Sequence, residues 1–142
     1  MQKRMEEDDT AAVSWGKGIE QASFLFLRFV TGLVFWAHGL AKLKKGMEPV
    51  GESFVGYGLP EWLAYPVLAV ELLGGMALIL GIATRYAAWA LAAIMIGAIV
   101  TVKWQNGLIG SGGKSGYELD LVLLATTLYL GGRRQKPRIA TD

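Results

Sequence analysis

Arg28, His38, Glu71, Glu118 and Asp120 lie within or at the margins of long apolar tracts, and Lys42 closes the first of these tracts. Ionisable groups inside apolar helices are costly unless paired or hydrated, so each is a functional candidate by default. The residue types define what they could do: carboxylates accept and relay protons, and imidazole, guanidinium and ammonium groups donate hydrogen bonds. Cysteine is absent, which removes thiolate catalysis, disulfides, iron–sulfur clusters and cysteine zinc sites. With a single histidine, paired-histidine haem ligation is also excluded and no metal is expected. The polypeptide therefore cannot carry electrons itself, and any redox step needs a bound organic cofactor or a partner protein. A membrane quinone is compatible with these residues. Its carbonyls accept hydrogen bonds from His38 and Arg28, its reduction needs protons that Glu71 can accept and Glu118 can relay, and Gly74 and Gly75 leave room for a flat ring.

The elements that position these residues follow from hydropathy. Spanning ~30 Å of hydrocarbon takes ~20 helical residues. Tracts at about 23–41, 62–82, 86–102 and 117–131 meet or approach that length, the last shortened by Glu118 and Asp120. At ~1.5 Å per residue, Arg28 lies roughly 6 Å from the inner edge and Glu71 roughly 15 Å, with His38, Asp120 and Glu118 roughly 16–21 Å deep. Arg28, Gly32, Phe35, Gly39 and Lys42 recur at steps of three and four, on one face of the first helix. His38 sits about 80° from Arg28, at the margin of that face. Glu118 and Asp120 are about 200° apart, so only one can face the interior, and Glu118 is the expected one, serving as a relay or as a partner for Lys42. Glu71 is expected to point inward, within one side chain or one water of Arg28 or His38. Paired and ionised it is structural; unpaired it can handle protons.

Composition supports a membrane setting: the chain is 53% hydrophobic with a mean hydropathy of +0.38. A net charge of +2 over 142 residues gives no reason to expect nucleic acid. The sequence predicts an all-α transmembrane four-helix bundle in residues 23–131, preceded by a polar, disordered cytoplasmic tail (1–22) with an amphipathic stretch near Trp15. A basic cytoplasmic tail (132–142) follows. The loop from Leu43 to Glu61 is rich in glycine but carries Val50, Phe54 and Val55, which suits an ordered cap on the outer mouth. Ala93, Gly97 and Thr101 repeat every four residues and predict a packing seam on the third span. Glu71 and Glu118 each precede an arginine at a helix end, Arg85 and Arg133, hinting at a parallel two-fold repeat of helix pairs.

The run Leu27-Arg28 … Gly32-Leu33-Val34-Phe35 … His38-Gly39-Leu40-Ala41-Lys42 resembles the first helix of the DoxX family. Val70-Glu71-Leu72-Leu73-Gly74-Gly75 and Leu80-Gly81-Ile82-Ala83-Thr84-Arg85 resemble its second helix and following turn. The resemblance implies a multi-pass protein of a bacterial or archaeal plasma (inner) membrane, linked in some relatives to quinone-dependent oxidoreduction or resistance to quinones. With it, the expected function is that of a quinone-interacting subunit of an oxidoreductase or redox-detoxification system. Glu71 and His38 would act at the chemistry, and Arg28, Lys42, Gly74, Gly75 and Glu118 at the ligand. Expected partners are membrane lipid, the quinone and a soluble redox protein, with a homo-oligomer left open. A non-enzymatic scaffold for a redox partner and a small-molecule carrier are the alternatives.

Eight basic residues in the termini and the second turn face five on the other side, which places both termini in the cytoplasm. A reporter fused after Asp142 is expected to be active in its cytoplasmic form; periplasmic activity would mean an odd number of spans.

Overall fold

The computed structural model describes residues 2–133, with side chains from Val13 onward except Ser111, so most of the expected basic tail lies outside the described residues. The first helix, α1, runs unbroken over Gln2–Lys45. This corrects the expectation of a disordered tail before residue 23. No proline precedes Pro49, and the early residues are mostly strong helix formers. Gly16 and Gly18 each cost only about 1 kcal/mol against alanine, too little to stop a helix. What stops it is Gly46, whose φ of 94° is left-handed.

The loop that follows is ordered, as expected, and contains a helix, α2 (Met47–Gly56), with Val50 and Gly51 buried and Val55 exposed. A short 3₁₀ turn at Glu61–Leu63 leads into α3 (Ala64–Leu80). The tight turn after it uses left-handed φ at Gly81 and Ala83 and opens α4 (Thr84–Gly97). That helix widens into a π-helical stretch at Ala98–Lys103 and ends in a 3₁₀ turn at Trp104–Asn106. A two-residue antiparallel ladder, β1 (Gly110–Ser111) with β2 (Lys114–Ser115), precedes α5 (Glu118–Gly132).

The fold is thus all-α, with α1, α3, α4 and α5 forming the bundle. Three stretches, Val13–Lys45, Glu61–Leu80 and Thr84–Asn106, are long and apolar enough to cross a membrane. They enclose most of each of the first three expected spans. The fourth tract forms the expected helix, but at 15 residues it rises only ~22 Å. Phe35, Leu78, Ala88, Leu91, Met95, Leu123 and Leu130 make the core. Large apolar side chains such as Leu73, Leu80, Val100 and Val122 point outward, a surface suited to lipid rather than water.

Close approach of backbones sets the α1–α3 register. A Cβ on Gly32 would lie 2.7 Å from the Gly75 carbonyl oxygen, and one on Gly75 would lie 2.7 Å from the Trp36 amide nitrogen. Gly39 faces Leu72, and Gly74 faces Leu91 of α4. Small residues serve this purpose in lipid, where tails compete with side chains for apolar contact. The seam expected at Ala93, Gly97 and Thr101 is not used within the chain: all three are exposed. The buried face of α4 is instead Ala88, Leu91, Ala92 and Met95, continued by Ile99, with Leu91 and Met95 in the core beside Leu78 of α3 and Leu123 and Leu130 of α5.

Gly75→Val forces two backbones apart and is expected to cost about 1–3 kcal/mol, lowering Tm in detergent. Gly97→Ala, where a Cβ meets nothing within 4 Å, is expected to leave Tm unchanged or raise it. Equal Tm values for the two variants would contradict the close-contact reading.

Candidate functional site at the α1–α3 interface

The site grows out of that register. On α3, Leu68, Glu71, Gly74, Gly75 and Leu78 are buried together, at helical steps of three and four. On α1 the inward face is Thr31, Gly32, Phe35 and Gly39, and Lys42 continues it. One turn past the Gly39–Leu72 contact, the Lys42 ammonium donates to both carboxylate oxygens of Glu71, at 2.6 Å to Oε1 and 2.7 Å to Oε2. The Glu71 side chain is 4% exposed and that of Lys42 30%. A buried anion is therefore held by a cation that still reaches the surface. Charge-assisted pairing of this length satisfies both carboxylate oxygens in an otherwise apolar interface.

Glu71 points inward as expected, but its partner is neither Arg28 nor His38. Arg28 precedes Lys42 by 14 residues, ~21 Å along α1. The register puts its guanidinium against Gly81 at the far end of α3, where a Cβ would lie 2.6 Å from Nη1. Among the described residues it has no hydrogen-bond or ion-pair partner, and its Nε is buried. It lies against a helix C-terminus, where a cation is favoured by the helix dipole. His38 is exposed and makes no hydrogen bond or ion pair among the described residues; its 80° offset carries it off the inward face. Gly74 and Gly75 are filled by Leu91 and by the α1 backbone, so they provide close packing and no slot for a flat ring.

Glu118 is exposed, and among the described residues neither Lys42 nor any other side chain pairs with its carboxylate. Asp120 is the inward acid instead. It is buried and accepts from the Lys103 ammonium at 2.5 Å. Asp120 shares its face with Leu123, Thr127 and Leu130, all buried at steps of three and four. Because α5 is apolar on both faces, the burial of these residues, and not their spacing alone, singles out Asp120. At the opposite end of the bundle, Arg133 donates to Glu20 at 2.7 Å and to the Tyr129 hydroxyl at 3.0 Å, and lies 4.4 Å from the Phe24 ring centre.

Comparison with known proteins identifies relatives of the chain. The DoxX family model matches residues 23–104, which takes in Lys42, Glu71 and Lys103 and stops before Asp120. A protein of Bacillus subtilis (strain 168) described as "Putative oxidoreductase CatD" is 41% identical over 106 residues, covering 75% of each chain. No solved structure matches the chain significantly.

Lys42→Met strands the Glu71 carboxylate. Losing one partner of a wholly buried pair costs about 3–5 kcal/mol, and a somewhat smaller loss is expected here because Lys42 is partly exposed. Lys42→Met combined with Glu71→Leu removes both charges and is expected to recover most of the thermal stability. A double variant no more stable than the single one would argue against the pair as the source of the loss.

Proposed function

The chain belongs to the DoxX family, and on that premise we propose that it is a quinone-interacting membrane subunit of an oxidoreductase or of a redox system that detoxifies quinones. The setting is a bacterial or archaeal plasma membrane, with both termini cytoplasmic. The oxidoreductase link comes from the description of the Bacillus subtilis relative.

The observation that carries the quinone reading is the unspent donor on Lys42. An ammonium has three N–H groups, and Glu71 takes two of them. The third is available on a side chain that remains 30% exposed, suited to the carbonyl oxygen of a ligand arriving from the lipid side. His38 lies four residues earlier on the same helix surface and is exposed, so it can serve as a second donor to the same ligand. Glu71 fixes the ammonium in place, and its carboxylate is the base directly hydrogen-bonded to Lys42 Nζ. Bound there, a quinone supplies two-electron, two-proton chemistry. Arg28 and Glu118 have no part in this reading, since Arg28 lies at the far end of α3 against Gly81 and the exposed Glu118 makes no ion pair with Lys42.

The test is direct. Solvent extraction of purified protein followed by mass spectrometry is expected to release quinone from the wild type and at least tenfold less from Glu71→Gln, whose amide keeps the shape and loses the charge. A folded wild-type protein that carries no quinone and binds none when it is added would leave the scaffold reading standing in its place.

A further inference from the structure

The second helical hairpin repeats the chemistry of the first. In each, a lysine near the end of the outgoing helix pairs with an inward carboxylate on the returning one: Lys42 with Glu71, and Lys103 with Asp120. Because α1 and α4 end, and α3 and α5 begin, on the same side of the bundle, both pairs lie at one end of it. The acid that completes the repeat is Asp120, not Glu118 as the distance to Arg133 suggests.

The second pair also has a flat aromatic surface beside it. Trp104, next to Lys103, stacks on Tyr117 with ring centres 6.1 Å apart and planes within 10°. Tyr117 lies three residues before Asp120, which puts it on the acid's side of α5. Trp104 is 67% exposed, so its outer face is open. Lys103 spends one donor on Asp120, keeps two, and is 23% exposed. It closes a π-helical stretch, an uncommon conformation often found at functional sites. The segment behind is braced by Tyr117 and Glu118 amides donating to the Gly107 and Leu108 carbonyls.

We propose that Lys103, Asp120, Trp104 and Tyr117 form a second site for a quinone, with the ring stacked on Trp104 and a carbonyl oxygen accepting from Lys103. The proposal rests on the quinone reading of the first pair and assigns the chain two sites, one in each hairpin.

Equilibrium dialysis of menadione against the full chain in phospholipid nanodiscs, corrected for protein-free nanodiscs, counts the sites. About two per chain are expected for the wild type. Asp120→Asn, Trp104→Leu and Glu71→Gln are each expected to leave about one, and Glu71→Gln with Trp104→Leu none. Trp104 takes part in neither ion pair and is largely exposed, so its variant stays informative if Asp120→Asn fails to fold. A single wild-type site removed by Glu71→Gln and untouched by Trp104→Leu would overturn the second site and keep the first. A single site with the opposite pattern would support the second and overturn the first. No binding at all would overturn both.

Discussion

The contact between the backbones of Gly32 and Gly75 is what the rest of the architecture hangs on. Two helices can approach this closely only where neither carries a side chain, and once they do, sliding one along the other is no longer free. From that point the antiparallel register is dictated in both directions. Toward one end it brings Gly39 to Leu72 and then Lys42 to Glu71; toward the other it brings Arg28 to Gly81. A shift of one residue would rotate Glu71 away from Lys42 and leave a carboxylate in an apolar interface without a cation.

The charged groups divide the molecule into two unlike ends. One end holds two buried carboxylates, each neutralised by a lysine that keeps contact with the surface. The other holds arginines: Arg28 beside the C-terminus of α3, and Arg133 joining the end of α5 to α1 through Glu20 and Phe24. Arginine's fork and weak hydration suit a structural clasp, while an ammonium on a flexible stem can exchange partners. The lysine end is thus the one whose cations can change partners, and the arginine end the one held fixed.

Much of this was legible in the sequence. The face Arg28–Gly32–Phe35–Gly39–Lys42 reads directly from helical spacing and lies along the observed interface, and the burial of Glu71 follows from its position in an apolar tract. The partner of Glu71 was not legible, because depth estimated separately on two helices carries no information about their relative register. That register depends on the contact of Gly32 with Gly75, and small residues recur too often for spacing alone to single this contact out. Ala93, Gly97 and Thr101 make the point: a regular small-residue stripe faces outward. Likewise Glu118 and Asp120 differ by two residues, and only the burial of Leu123, Thr127 and Leu130 decides between them. The polarity of residues 2–22 suggests disorder, but polarity does not oppose a helix and nothing in that stretch breaks one.

The shortness of α5 has a consequence for the membrane itself. Its 15 residues rise ~22 Å, about 8 Å less than the ~30 Å hydrocarbon layer, while the stretches Val13–Lys45, Glu61–Leu80 and Thr84–Asn106 are long enough to cross. A bilayer meets a short helix by thinning, at a fraction of a kcal/mol per Å of mismatch. Here the mismatch is greatest in the α5 sector of the bundle, so in a bilayer the lipid would be compressed most on that side. In a bilayer such a bundle would act as a wedge in thickness, favoured where the membrane is already thin. Thinning on that side would bring the water interface toward Asp120, whose side chain is already the more exposed of the two carboxylates, at 11% against 4% for Glu71.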